Sequence, residues 1–294
     1  MFNPNAVYIS PSSLGDFEKC PQAYYYKNVY RSPRGLKIQI INPALAIGQT
    51  VHDVLGQYLD LTPEKRTKDE LFRIFEWIWT GVSGEKGGFL SVEEEKTGKE
   101  RAVLMLERFL GNDHFKSATQ VEIPSFPKAE LGNDLILTGK LDWIEKDTDG
   151  YYHIIDFKTG KNEEKEGSQQ LPIYSFLVSK IFNTDKIKTS YWYLDKDDTF
   201  VDIPQSDLTA TFEMLKQKGE IIKMVRQTHS YRCQSGRESC WACRDILAVA
   251  QGKGKLVLMD PVNRKQEIYI LIPEAPTVVS VAAGINTSGD ELPF

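Results

Sequence analysis

The sequence predicts an α/β (α+β) fold: a small mixed central sheet flanked by helices, with a helical N-terminal part. Three observations carry this. Apolar residues recur at helical spacing through the first 110 or so residues, behind repeated Ser-Pro, Asn-Pro and Thr-Pro starts. Short β-branched and aromatic runs follow at 119–126, 134–146 and 151–158. Helical periodicity returns at 163–183 and 205–228, around a further strand at 187–194. Helices packed before and after a few short strands make a layered domain with a mixed sheet.

The elements follow in order. Ser10-Pro11-Ser12-Ser13 is a helix start, with a Ser cap and Pro in the first turn, and the helix is expected to run through Leu14, Phe17 and Ala23 to about Lys27. Asn42-Pro43 opens a second helix carrying Leu45, Gly48, His52, Leu55 and Leu59. Thr62-Pro63 starts a third with Leu71, Phe75 and Ile78, and a loop at Gly84 to Gly88 precedes a fourth over 92–111. The runs 134–146 and 151–158 flank Asp147-Thr148-Asp149-Gly150, a turn that makes them a hairpin. Gly252-Lys253-Gly254-Lys255 reads as a linker to one or two strands within 256–272. From Pro273 the chain is small and polar without periodicity, and is expected to be disordered. There is no internal repeat.

Composition bounds the function. The chain has 294 residues, 41% hydrophobic and 26% charged, which is ordinary globular usage and supports one large domain with an appendage. No stretch approaches the roughly 20 apolar residues of a membrane helix. Met1-Phe2-Asn3-Pro4 has no basic region followed by an apolar run, so no secretory signal is read and a cytoplasmic location is expected. The formal charge of −5 does not exclude a nucleic-acid partner, because a backbone-binding groove needs only local Lys and Arg.

The chemistry concentrates in Gly139-Lys140-Leu141-Asp142 and Ile154-Ile155-Asp156-Phe157-Lys158-Thr159-Gly160. On a strand, Asp156 and Lys158 share one face while Ile155 and Phe157 take the other. The hairpin can bring Asp142 beside Asp156, and two close carboxylates repel unless a cation lies between them. Hard oxygen ligands suit Mg²⁺ or Mn²⁺. Such a site suits phosphodiester hydrolysis, with the metal polarising a phosphoryl oxygen and activating water while Lys158 orients that water, takes its proton or stabilises charge on the phosphate. Alone, Asp-x-Lys is equally a surface ion pair worth at most about 1 kcal/mol.

The wider pattern resembles the PD-(D/E)XK nuclease superfamily and, within it, the RecB-like exonuclease branch, which includes AddB-type and CRISPR-adaptation nucleases. It rests on Gly48-x-x-x-His52 ahead of the sheet, Gly139-x-x-Asp142, Asp156-x-Lys158-Thr159-Gly160 and Gln170-Leu171-x-x-Tyr174, in order across roughly residues 8–245. The resemblance implies a restriction-endonuclease-like core over residues 1–250, with 251–272 an appended segment and 273–294 a tail. It also implies that His52, Asp142, Asp156 and the main-chain carbonyl of Phe157 ligate the metal, that Lys158 is the catalytic lysine, and that Gln170 and Tyr174 position the lysine or the DNA strand. Pro172 departs from the pattern by falling inside the Gln–Tyr helix, where it kinks the chain unless the helix begins just before it.

Four cysteines, Cys20, Cys233, Cys240 and Cys243, match the four thiolates of a tetrahedral zinc or an iron–sulfur cluster. The run Ser12-x-Leu14-x-x-Phe17-x-x-Cys20-Pro21-x-x-Tyr24 also resembles RecB-type nucleases, and implies a 4Fe–4S cluster clipping the two ends of the domain together. Cys20 and Cys233 have 212 residues between them, so a link between them is worth about 4–5 kcal/mol on the loop-closure model. Here the wider cysteine gap precedes the Cys-x-x-Cys, whereas relatives place it second, which keeps Zn²⁺ and unliganded buried thiols open as alternatives. The last residues, Asp290-Glu291-Leu292-Pro293-Phe294, resemble the acidic, Pro-Phe-ended tips with which single-stranded-DNA-binding proteins recruit repair enzymes, and so imply a protein partner; an ordinary disordered terminus is the plain alternative. The function expected is a metal-dependent DNA exonuclease acting on single-stranded ends in recombination or repair. The alternatives are a non-catalytic DNA-binding subunit of a helicase–nuclease complex and a CRISPR-type spacer-processing nuclease; no RNA-recognition motif is seen.

Overall fold

Burial and pairing in a computed structural model of the chain, which describes residues 6–272 except 125 and 166, show a mixed α/β arrangement. The tip Asp290–Phe294 and the whole segment 273–294 lie outside the described residues. In chain order the elements are β1 (Val7–Ile9), α1 (Pro11–Lys19), α2 (Pro21–Tyr24) with a π-helical turn over Tyr25–Val29, β2 (Lys37–Ile40), α3 (Pro43–Leu59), α4 (Lys68–Trp79), α5 (Val92–Gly111), α6 (His114–Ser117), β3 (Lys128–Gly132), β4 (Leu135–Thr138), β5 (Trp143–Lys146), β6 (Tyr152–Lys158), α7 (Gln170–Phe182), β7 (Ile187–Tyr193), β8 (Val201–Ile203), α8 (Leu208–Thr228), α9 (Arg244–Ala250), β9 (Lys255–Asp260) and β10 (Gln266–Ile270). Among the described residues no helix is long and apolar enough to cross a membrane.

The central sheet has the order β5-β6-β7-β8. β5 and β6 form the expected antiparallel hairpin, with Trp143 opposite Ile155, while β6 and β7 run parallel with Asp156 beside Tyr191. One face, through Trp143, Ile155, Phe157 and Trp192, packs on Val51, Val54 and Leu55 of α3, Phe75 of α4 and Met105 and Phe109 of α5. The other face, through Ile144 and Ile154, packs with Leu171, Tyr174 and Leu177 of α7 and with the small sheet β1-β4-β3. The alternation along β6 therefore sends its apolar residues to both cores, and leaves Asp156 and Lys158 at the end of the strand for other work.

Several boundaries differ from the sequence reading, each for a local reason. The first helix stops at Lys19, because Pro21 forces Cys20 into an extended conformation (φ −171°, ψ 122°) before α2 begins. Pro63 opens only a 3₁₀ turn, and α4 starts behind the Thr67 cap, whose side chain accepts from the Glu70 amide. Residues 119–124 do not join a ladder beyond the bond from the Val121 amide to the Ile144 carbonyl, since Pro124 and Pro127 remove two donors. The run 134–146 is two strands in two sheets, crossing at Gly139 to Asp142. A Cβ on Gly139 would come within 2.9 Å of the Tyr174 ring, so the crossing chain is pressed onto α7.

The segment after the linker forms a hairpin whose second strand, β10, pairs parallel to β2, giving a third sheet in the order β2-β10-β9. Ile268 and Ile270 join the core that holds Trp143 and Phe157.

Candidate active site and thiolate centre

Four elements converge at the end of β6. α3 contributes His52, one turn after Gly48, and its N-terminus is capped by the Asn42 side chain accepting from the Leu45 amide. A Cβ on Gly48 would lie 2.8 Å from Thr159 Oγ1, so the glycine lets the helix lie directly on the loop that follows Lys158. That loop is held in turn by Arg101 of α5, whose guanidinium donates to the Thr159 carbonyl at 2.7 Å and pairs with Asp195 at 2.9 Å.

Asp142 sits where the chain enters β5. Its Oδ1 lies 2.9 Å from His52 Nδ1, and its Oδ2 accepts from the Phe157 amide at 3.0 Å. Asp156 is 3% exposed and is bracketed by Lys158 Nζ at 2.9 Å and by Gln170 Nε2 at 2.7 Å. Lys158 also donates to Gln170 Oε1 at 2.5 Å, pairs with Glu164 at 3.1 Å and lies over the Tyr191 ring at 4.9 Å. Gln170 donates more weakly to the Tyr174 hydroxyl at 3.4 Å. His52, Asp142, Asp156, Phe157, Lys158, Gln170 and Tyr174 thus line one cavity of about 250 Å³.

Pro172 causes no kink. Gln170 is the first residue of α7, so Pro172 stands in the first turn, where its missing N–H has no intrahelical acceptor to lose.

The electrostatics are those of a site short of positive charge. Burial, and then the charge of Asp142 alongside, push the Asp156 carboxyl up to about 7. Burial works against the charged form of His52, but the carboxylate of Asp142 outweighs it and raises the imidazole above its ordinary value. Lys158 is likewise raised: burial opposes the charge, and Asp156 and Glu164 more than offset it. Two carboxylates, one of them almost fully buried, and an imidazole at one cavity form a donor set that fits a small, hard divalent cation.

Glu164 and Tyr191 were not singled out from the sequence. Glu164 lies in an acidic run inside an irregular loop, and Tyr191 reaches Lys158 through strand pairing, so neither carries a local signal.

The four cysteines meet elsewhere. One sulfur from each lies within 4.8 Å of all the others. Cys243 Sγ is 3.9 Å from Cys233 Sγ and 3.7 Å from Cys240 Sγ. Cys20 reaches the cluster because Pro21 breaks the helix at that residue. Cys20 and Cys243 are fully buried, and burial raises both thiols, Cys243 to about 12. Cys233 is instead lowered to about 6, first by its hydrogen bond with the Ser235 hydroxyl. Four sulfurs in one place fit a soft metal centre.

No curated protein gives a significant match to the chain. Among solved structures, a protein from Eubacterium rectale named provisionally as an exonuclease is similar at 14% identity, with 87% of this chain aligned to 91% of that one and a TM-score of 0.47. The solved structure SSO0001 is similar at 13% identity, over 85% of this chain and 86% of that one, with a TM-score of 0.35. The family model of the PD-(D/E)XK nucleases matches residues 8–245, the span that holds all four motifs and all four cysteines, and the chain belongs to the PD-(D/E)XK nuclease superfamily.

Proposed function

We propose that the protein is a RecB-like, Mg²⁺- or Mn²⁺-dependent exonuclease that hydrolyses DNA at single-stranded ends in recombination or repair. The observation that carries this reading is the convergence of His52, Asp142, Asp156, Lys158 and Gln170 on one cavity. Nucleases of this superfamily use divalent metals, and His52, Asp142, Asp156 and the Phe157 carbonyl would hold one here. The bound cation would polarise a phosphoryl oxygen and activate water.

The chain's own groups have separable parts. Asp142 orients the His52 ring through Nδ1 and is itself fixed by the Phe157 amide. Lys158 has three acceptors around its amine, so it is held as an ammonium and aimed by the Gln170 amide. That cation suits charge developing on the phosphate better than proton abstraction. Gln170 and Tyr174 are positioning residues: Gln170 bridges Asp156 and Lys158, and Tyr174 backs Gln170.

The test is digestion of a single strand labelled at one end, with Mg²⁺ or Mn²⁺, beside Lys158→Ala. Products shortening progressively from one end, with a circular strand left intact and cleavage abolished in the variant, are expected. Undiminished cleavage by Lys158→Ala would overturn the assigned centre. Binding of single strands without cleavage under either metal would favour the alternative of a non-catalytic subunit in a helicase–nuclease complex, and a preference for spacer-length fragments would favour CRISPR-type processing.

For the thiolates we propose a 4Fe–4S cluster held by Cys20, Cys233, Cys240 and Cys243. Zn²⁺ is the second reading, favoured by the sulfur separations of 3.7 and 3.9 Å, close to the edge of about 3.8 Å that a single tetrahedral ion with bonds of about 2.3 Å produces. Anaerobic purification separates them: a brown, iron-containing protein supports the cluster, and a colourless one with one zinc per chain supports the ion. The tip Asp290–Phe294 is proposed to dock a repair partner through its acidic and apolar residues, which a pull-down with and without the last six residues tests.

A further inference from the structure

We infer that Arg264, on the turn between β9 and β10, is a substrate-binding residue that holds a phosphodiester of the DNA strand next to the one being cleaved. The inference rests on the nuclease reading above. Arg264 lies 211 residues from Asp53, yet its guanidinium is 3.3 Å from the Asp53 carboxylate, one position after His52 on α3. Lys140, two residues before Asp142, approaches the other oxygen of Asp53 at 3.8 Å. Arg264, Lys140 and Asp53 line a cavity of about 370 Å³ that also contains His52, Asp142 and Phe157, three residues it shares with the cavity holding Lys158. A strand seated at the metal site therefore has a direct path past Lys140 and Arg264.

The turn that carries Arg264 is closed by its own hydrogen bonds. The Asp260 carboxylate accepts from the amides of Val262, Asn263 and Arg264 itself, at 3.2, 2.9 and 3.2 Å. Behind the turn, β10 pairs with β2, and Ile268 and Ile270 are buried in the core that carries Phe157. The hairpin thus anchors the backbone of Arg264 beside the site.

Two side-chain cations, Arg264 and Lys140, are available to a phosphate at this end of the cavity. Asp60 and Asp142 also line the cavity, but Asp142 is engaged by His52 and the Phe157 amide. One carboxylate, Asp53, faces two cations, and the side chains of Arg264 and Lys140 are 49% and 82% exposed. Solvent screening makes such a pair weak, so exchanging it for a phosphate costs little. The guanidinium contacts Asp53 through Nη2, and its remaining N–H groups can take a phosphate in the bidentate manner that suits arginine.

The alternative is an ion pair that only pins the hairpin to α3. The two are separated in the Lys158→Ala background, where a fluorescent single strand can be bound without being cut, with Arg73→Ala on α4 as a control for loss of one exposed charge. With Arg264→Ala we expect about tenfold weaker binding, and a slope of log K against log salt reduced by roughly one. Arg264→Lys should keep the slope and lose part of the affinity, and thermal melting should barely move in either. In the cleaving protein Arg264→Ala should raise KM about tenfold with kcat nearly unchanged. Binding and salt slope equal to those of Arg73→Ala would overturn the inference, as would a loss of affinity matched by a loss of folded protein in both Arg264 variants. Wild-type protein that cuts nothing under either metal, while binding still depends on Arg264, would sink the nuclease reading and leave the DNA contact standing.

Discussion

Gly48 of α3 faces Thr159, the residue that follows β6, so closely that a Cβ on the glycine would stand 2.8 Å from Thr159 Oγ1. His52 is one turn further along that helix, and Lys158 immediately precedes Thr159. The approach of helix to loop therefore sets where the imidazole stands relative to the lysine and both carboxylates.

Gly48→Ala should push the two apart. A Cβ at 2.8 Å from Thr159 Oγ1 forces that side chain to turn or its loop to shift, and a displacement of about 1 Å at reacting groups can cost up to a hundredfold. Cleavage is expected to fall ten- to a hundredfold, with a stability loss of about 1–3 kcal/mol from overpacking. The double variant Gly48→Ala/Thr159→Ala, which removes the opposing hydroxyl, should recover most of the rate. Full activity in the single variant would mean that the contact does not position the site.

Gln170→Ala should act through Lys158. The amide joins Asp156 and Lys158 at 2.7 and 2.5 Å, so its removal frees the ammonium to wander. A lower kcat, a little-changed KM and a displaced pH–rate profile are expected, and Gln170→Glu should not restore the rate because a carboxylate cannot donate to Asp156. An unchanged pH profile would reduce Gln170 to a packing role.

Metal-free protein should become less stable through Asp156 as pH rises. The folded-state carboxyl sits at about 7, above its ordinary 3.8, so its contribution is fully present below pH 3.8 and is lost as pH climbs through 7. The stability difference between wild type and Asp156→Asn, measured in chelator from pH 4 to 8, should therefore shift against wild type by on the order of 3 kcal/mol. Adding Mg²⁺ or Mn²⁺ should reverse the trend in wild type alone, since the cation favours the ionised form. A difference that stays flat with pH would refute the assignment of a strained, cation-seeking carboxyl.

Cys20→Ser tests the proposed link between Cys20 and the three C-terminal cysteines. The closed loop spans most of the chain, so about 3–5 kcal/mol of stability and the bound metal should be lost together. Melting with parallel metal analysis checks this, and a variant that keeps both its metal and its melting temperature would show Cys20 to be merely buried.

Much of this protein could be read along the chain. The capped helices α3 and α5, the hairpin of β5 and β6 and the separation of Asp156 and Lys158 from Ile155 and Phe157 follow from caps, turn residues and side-chain periodicity, which act over a few residues and leave a local trace. Asp142 was legible from the hairpin, whereas His52 and Gln170 were legible only through the resemblance to the motifs of the nuclease family. The tertiary structure alone decided the rest: the kink at Cys20 that aims its sulfur at three cysteines more than 200 residues away, the crossing of the chain between two sheets at Gly139, and the arrival of Glu164, Tyr191 and Arg264 around the site. These depend on which surfaces pack together, and packing between distant segments is set by shape and burial across the whole core rather than by any short stretch of sequence.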